Sequence, residues 1–204
     1  MDSPAAAPPD RGEYAMDVFD RAIRFAAEAH SGMVRRGENA PYILHPMEVA
    51  SIVGTMTGDR EILAAAILHD TVEDTPVTLG QLQELFGPRV AALVASETED
   101  KRPDQPPAET WFERKTETLQ VLEYTRDRAV KMIWLGDKLS NMRSFYRMYL
   151  WRGDRLWEEF NQKDPSSQHW YYRTIGTLLE DLRDEPAWQE YDRLVKAVFE
   201  GGAL

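Results

Sequence analysis

Apolar positions along this 204-residue chain recur at helical spacing almost from end to end. Between Asp17 and about Met33, the residues Val18, Ala22, Ile23, Phe25, Ala26 and Ala29 share one face behind an aspartate placed to cap the first turn, which predicts the first helix. The stretch 35–46, RRGENAPYILHP, is broken by Gly37, Asn39, Pro41 and Pro46 and reads as an irregular loop feeding the next helix. Further helices are predicted from Pro46 to Met56, Arg60 to His69, Thr78 to Phe86 and Pro88 to about Glu97. Residues 101–108, KRPDQPPA, place three prolines in eight positions and cannot form regular helix, so they are predicted as the main internal loop, mobile and near a site. Beyond it, helices are expected over Trp111–Tyr124, Arg128–Leu150, Arg155–Phe160, Gln168–Leu182 and Pro186–Phe199. No segment alternates with a period of two in β-branched residues, so the fold class is all-α, a bundle of about ten helices. Residues 1–16, rich in proline and alanine and without periodicity, are expected to be a disordered tail, leaving 17–200 as one folded domain.

Charge narrows the partners. Against 35 Asp+Glu the chain sets only 24 Lys+Arg, a net charge of −11, which argues against gripping nucleic acid or anionic membrane through bulk electrostatics. An anionic substrate must therefore meet a local basic patch. With no cysteine, thiolate metal sites, iron–sulfur clusters and cysteine nucleophiles are excluded. No apolar run approaches the ~18 residues of a membrane span, and the first residues do not resemble a secretory signal. A cytoplasmic protein is the expectation.

Four histidines occur, and His30, His45 and His69 fall within forty residues of one another, whereas His169 stands apart. The pair His69-Asp70 closes the apolar run EILAAAILHD, carrying an imidazole and a carboxylate to the edge of a buried surface, where desolvation must be offset by pairing or by a metal. A plainer role for Asp70, capping the turn that follows, stays open. Glu73 and Asp74 bring the acids of HDTVED to three, and like charges this close repel unless a cation lies between them; a solvated acidic turn is the alternative. Far along the chain, Asp137 interrupts VKMIWLGDKLSNMRSF, an apolar stretch in which an unpaired carboxylate would be costly. Asn141, Lys138, Arg143 and Arg147 follow on the same helix, and for the three cations a solvated charged stripe is equally open.

In these segments the chain resembles the HD-domain metal-dependent phosphohydrolases, specifically the hydrolase domain of the RelA/SpoT alarmone enzymes. Within them it is most similar to the single-domain small alarmone hydrolases, the group that includes the metazoan SpoT-like hydrolase. The resemblance is carried by AEAHSGMVRRGENAPYILHP at 27–46, AAAILHDTVEDT at 64–75, FGPRVAALVASETEDK at 86–101 and VKMIWLGDKLSNMRS at 130–144, and it covers about residues 17–185. It implies an HD-domain helical bundle with His45, His69, Asp70 and Asp137 as metal ligands and His30 as a nearby structural histidine. Mn²⁺ is the implied ion, and two imidazoles with two carboxylates suit a borderline-to-hard divalent cation. Glu73 and Asp74 match the family's catalytic acids. Arg35 and Arg36 would lie beside the purine and Asn141 near the nucleoside, with Lys138 and Arg143 as phosphate contacts. His169, Tyr171 and Tyr172 are expected to pack onto the core, closure over the nucleotide being the alternative.

The resemblance thus implies a guanosine-3′,5′-bis(diphosphate) 3′-pyrophosphohydrolase that releases pyrophosphate from (p)ppGpp, using a metal-activated water, in the stringent response. Departures from the family pattern, Arg35-Arg36, Met33 and Gly136-to-Asn141 read as GDKLSN, leave the base open between guanine and adenine. Hydrolysis of (p)ppApp or NADPH, and a non-catalytic alarmone sensor, are the rival readings. The length is expected to hold a hydrolase without a synthetase domain. Oligomeric state is not legible.

Overall fold

The structure, a computed structural model, describes residues 16–102 and 104–201; the expected tail, apart from Met16, lies outside them, as does Pro103 of the proline-rich loop. Ten α-helices and two 3-10 turns make up the regular structure of the described residues, in keeping with the all-α expectation. At the centre lies α3 (Arg60–Leu68), in which every residue from Ile62 to Leu68 is buried. A helix apolar on all faces has to be surrounded, and α3 packs against α1 (Val18–Ala29), α2 (Leu44–Val53), α6 (Pro88–Ala95) and α8 (Arg128–Arg152). Helix α5 (Leu79–Phe86) pairs with α6, and α7 (Trp111–Tyr124) packs on α9 (Pro165–Leu178), which in turn meets α10 (Pro186–Phe199). No helix among the described residues is long and apolar enough to cross a membrane.

Three elements differ from the periodicity reading, each for a local reason. Helix α1 ends at Ala29, because His30 leads into a tight turn at Gly32 (φ +80°) and the chain then pairs Val34 with Pro41 in an isolated antiparallel bridge. Residues Gly153–Glu159 form a 3-10 turn, following the reversal at Gly153. Helix α9 begins at Pro165 because Asp164 accepts hydrogen bonds from the Ser166 and Ser167 amides and proline sits well in a first turn. A further four-residue helix, α4 (Thr71–Asp74), is too short to register as periodicity, yet it carries Glu73 and Asp74, two of the three acids of the HDTVED motif.

Two packing features place the functional segments. On α8, a Cβ at Gly136 would lie 2.8 Å from Val53 Cγ2 and 3.2 Å from the Val49 carbonyl, so only glycine lets α8 settle this closely on α2. That approach brings Asp137, the next residue, against His45 of α2. At the start of α3, Asp59 accepts from the amides of Glu61 and Ile62 and pairs with Arg89 at 2.8 Å. Burial pushes this carboxyl up, but Arg89 and the capped amides outweigh it and hold it below its ordinary value. Its contribution to stability is therefore complete above the ordinary carboxylate range and is lost as pH falls through the depressed folded value. Asp59→Ala is expected to cost about 1 kcal/mol at neutral pH, a fall in Tm of ~2–4 °C. Thermal melts should show the deficit shrinking toward acid pH, and a deficit constant down to strong acid would refute the cap as its origin.

Candidate metal centre and nucleotide cleft

The N-terminal end of α2, the C-terminal end of α3 and the interior of α8 converge on a small polar cluster inside the apolar bundle. His45 and His69 are 3% and 2% exposed, Asp137 is 5% exposed, and one ligand atom from each of the three lies within 4.8 Å of the others. His45 Nε2 is 3.1 Å from Asp137 Oδ1 and 3.4 Å from Asp70 Oδ2; His69 Nε2 is 3.1 Å from Asp70 Oδ2 and 3.7 Å from Asp137 Oδ1. The four residues read as ligands are thus brought together. Asp70 makes no capping hydrogen bond to α4, which removes its plainer role. Tyr42 donates to Asp70 Oδ2 at 2.6 Å instead.

The orientation of the imidazoles tests whether a cation fits. His69 Nδ1 lies 2.9 Å from the Ala66 carbonyl, which can only accept, so Nδ1 carries the proton and Nε2, buried and without a hydrogen-bond partner, turns its other face to the carboxylates. Lone pairs of nitrogen and oxygen pointed at one another in a buried space repel unless positive charge sits among them. The same demand shows in the charges that surround each group. Burial disfavours a charged His69, but Asp70 and Asp137 overcome it and raise its affinity for a proton well above the ordinary value. Burial likewise pushes Asp137 up, and Lys138 with the two imidazoles overrides it, holding the carboxyl well below the usual range. The donor set, nitrogen and oxygen without sulfur, fits a divalent cation.

Next to this cluster stand Glu73 and Asp74, whose side chains are 21% and 19% exposed, so that HDTVED is not a solvated turn. Glu73 Oε2 accepts from the Glu99 amide at 3.1 Å, and Lys101 Nζ lies 3.3 Å from Glu73 Oε1 and contacts Asp74 as well. Burial, then the charge of Asp70, raises the Glu73 carboxyl above its ordinary value despite Lys101 and Lys115. Lys101 comes from the start of the proline-rich loop, which is tied down by Arg102 to Glu117 at 2.5 Å and by Arg114 to the Pro107 carbonyl at 3.1 Å.

A cavity of about 350 Å³ opens beside the acids, with Asp74 and Tyr42 in its wall. Arg35, Arg36 and Asn141 supply its polar side and Phe145, Met148 and Phe160 an apolar side. The loop that carries the arginines is clasped onto α8. Arg35 donates to Asn141 Oδ1 at 2.7 Å, Asn141 donates to Asp137 Oδ1 at 2.7 Å, and Glu38 accepts from Ser144 at 2.8 Å and Arg147 at 3.0 Å. Gly37 (φ +75°) is part of this clasp, since a Cβ there would stand 2.6 Å from Met148 Sδ.

Other expected residues sit elsewhere. Lys138 pairs with Asp137 and lies 4.9 Å over the Trp134 ring, which makes it a partner of the carboxylate. Arg143, expected among the phosphate contacts, does not line the cavity; it forks onto Glu190 at 2.6 and 2.7 Å, with Glu48 at 3.0 Å. One helix face cannot reveal that a carboxylate 47 residues away claims the guanidinium. His30 is buried, neither ring nitrogen has a hydrogen-bond partner among the described residues, and the ring packs on Tyr42 at 4.9 Å. Tyr171 and Tyr172 are buried against Trp111 and Phe145, and His169 stacks on Phe199 at 5.1 Å, in line with core packing. Sequence reasoning missed Tyr42, Glu48, Lys101, Lys115 and Ser140. Of these, only Lys101 carried a signal, as the cation closing SETEDK before the loop.

Known proteins share this arrangement of segments. The chain is 31% identical over 188 residues to a GTP pyrophosphokinase of Myxococcus xanthus and 33% identical over 180 residues to the bifunctional (p)ppGpp synthase/hydrolase SpoT of Escherichia coli K12. Those alignments take in 89% and 87% of this chain but 25% of each relative, so the chain spans about a quarter of their length. Among solved structures, a metazoan ortholog of SpoT that hydrolyses ppGpp superposes with a TM-score of 0.71 at 25% identity, covering 91% of this chain and 98% of the other. The lmo0812 protein of Listeria monocytogenes EGD-e gives 0.67 at 33% identity, covering 76% of this chain and 99% of its own. Residues 22–154, which hold every donor of the polar cluster, match the HD domain, and the chain belongs to that family.

Proposed function

We propose that this chain is a metal-dependent (p)ppGpp 3′-pyrophosphohydrolase, yielding GDP or GTP and pyrophosphate, with Mn²⁺ as its ion and the cytoplasm as its compartment. Residues 17–200 are its catalytic domain. The observation that carries the reading is a shared wall: Asp74 and Tyr42 line the nucleotide-sized cavity, while Asp74 belongs to the acid pair and Tyr42 is hydrogen-bonded to Asp70. A nucleoside lodged against Phe145 and Phe160, with Arg35 and Arg36 beside its base, directs its 3′ substituent toward the acids and the donor cluster. The names of the relatives, SpoT and the metazoan ppGpp hydrolase among them, support the same substrate.

His45, His69, Asp70 and Asp137 would hold the ion, which supplies Lewis-acid charge and makes water it binds easier to deprotonate. The chain's own part is positional and acid–base. Glu73, whose carboxyl is raised by burial and by Asp70, is suited to take a proton from the attacking water at neutral pH and return it to the departing 3′ oxygen. Asp74 orients that water, and Lys101, against both acids, faces the charge that grows on the pyrophosphate. Arg35, Arg36 and Lys101 form the local positive field that lets a chain of net charge −11 accept a polyanion.

Incubating the protein with ppGpp and Mn²⁺ is expected to give GDP and pyrophosphate, with activity abolished by EDTA and restored by Mn²⁺. Parallel assays with pppGpp, (p)ppApp and NADPH rank the substrates. Stepwise release of orthophosphate, or no turnover of any of them, would overturn the proposal.

A further inference from the structure

Behind the donor cluster runs a chain of polar side chains that the hydrolytic reading leaves unused. His45 Nδ1 lies 2.8 Å from Ser140 Oγ, and Ser140 Oγ donates to Glu48 Oε2 at 2.7 Å. Glu48 Oε1 accepts from Arg143 at 3.0 Å, and Arg143 in turn forks onto Glu190 of α10. The inner members are shut away from water, His45 at 3% and Ser140 at 1% exposure. A serine hydroxyl has one proton. With that proton committed to Glu48, a carboxylate that can only accept, Ser140 must receive the hydrogen bond from His45. The proton of neutral His45 is thereby placed on Nδ1, and the lone pair on Nε2 faces Asp137 and Asp70.

We propose that Ser140 and Glu48 are positioning residues for His45, fixing its tautomer and ring orientation for metal ligation, with Arg143 and Glu190 holding Glu48 in place. His69 achieves the same end through a main-chain carbonyl, which no side-chain substitution removes. His45 depends instead on three side chains from α2 and α8, tethered to α10. The inference rests on the reading of His45 as a metal ligand and is independent of the substrate. Partners of this kind behind a ligating histidine are worth about 10–100-fold in metal affinity.

The test is the Mn²⁺ dissociation constant of the full chain, read from the paramagnetic resonance signal of free Mn²⁺, together with the Tm of the metal-free protein. Ser140→Ala is expected to weaken binding about 10–100-fold with little change in the metal-free Tm. Glu48→Gln is the second variant: an amide cannot accept from both Ser140 and Arg143, so one contact fails whichever way it turns, and a loss of about 10-fold is expected. Because the two act in series, the double variant should bind no more weakly than Ser140→Ala alone. Ser140→Ala binding within twofold of the parent, or additive losses in the double variant, would overturn the relay. A parent chain that binds no Mn²⁺ at all would instead overturn the metal-site reading, and the relay with it.

Discussion

Glu73→Gln and Asp74→Asn are each expected to lower turnover of ppGpp, by about 10²–10⁴-fold for Glu73 as a lost proton-transfer group and about 10²-fold for Asp74 as a lost orienting contact to the water, while Mn²⁺ affinity stays within a few-fold of the parent. Both substitutions keep the shape of the side chain. A glutamine at 73 can still accept from the Glu99 amide, as Glu73 Oε2 does at 3.1 Å, so the turn of α4 is retained. What it loses is the ability to carry a proton at the atom beside Lys101. For Glu73→Gln the loss should fall on kcat with KM little changed, because Glu73 does not line the cavity; Asp74 does, so Asp74→Asn should move KM as well. Single-turnover rates with metal occupancy measured on the same samples decide the matter. Unchanged kcat in Glu73→Gln would remove it from the chemistry, and a loss that vanished at saturating Mn²⁺ would reassign it to metal binding. The same experiment separates an enzyme from an alarmone sensor, since a sensor would bind ppGpp equally well in parent and variant and turn it over in neither.

The architecture was legible where physics is local. Seven consecutive buried residues in α3 follow from an apolar run bounded by Asp59 and His69, and the glycine that admits α8 to α2 sits beside the acid it delivers. The donors were legible because each belongs to a compact motif with few plausible alternatives: an imidazole beside a proline at 45–46, an imidazole beside an acid at 69–70, an acid inside an apolar helix at 137. Wiring between helices was not. Whether Arg143 meets a phosphate or Glu190 depends on how α10 packs on α8, a contact set by the shapes of both helices and by no pattern within either. Ser140 read only as part of a departure from the family pattern that left the base open, yet its single hydroxyl proton decides which nitrogen of His45 is free. Tyr42 was hidden for a related reason, since a tyrosine in the irregular loop 35–46 announces nothing until the loop is seen folded over Asp70. Lys115 comes from the helix after the loop, where charge follows no period that would betray a facing carboxylate.

Asp137→Asn should separate the two tasks of this residue, ligand and counter-ion, more sharply than any change at His45 or His69. In the parent, a divalent ion that binds only the folded chain adds RT ln(1 + [M]/Kd), about 2.7 kcal/mol at a hundredfold excess over Kd. For a chain of this length that is a rise in Tm of ~5–10 °C. The asparagine keeps an oxygen for the Asn141 amide, which now bonds Oδ1 at 2.7 Å, but offers no negative charge to a cation. The Mn²⁺-induced rise should therefore disappear across the same concentration range. A second cost appears without metal, because Lys138 is 13% exposed at its side chain and pairs with Asp137 alone among the described carboxylates within salt-bridge reach. Removing one member of a buried pair leaves the other charge uncompensated at a cost of about 3–5 kcal/mol. Relief of repulsion between Asp137 and the neighbouring Asp70 works the other way, but the two imidazoles already stand between those carboxylates, so the stranded lysine should dominate. The metal-free variant is expected to melt ~5–15 °C below the metal-free parent. A Lys138→Met, Asp137→Asn double variant should recover most of that deficit and none of the metal response. Recovery of the metal response as well would mean that Asp137 serves only to neutralise Lys138, and that the cation is held by the remaining three donors.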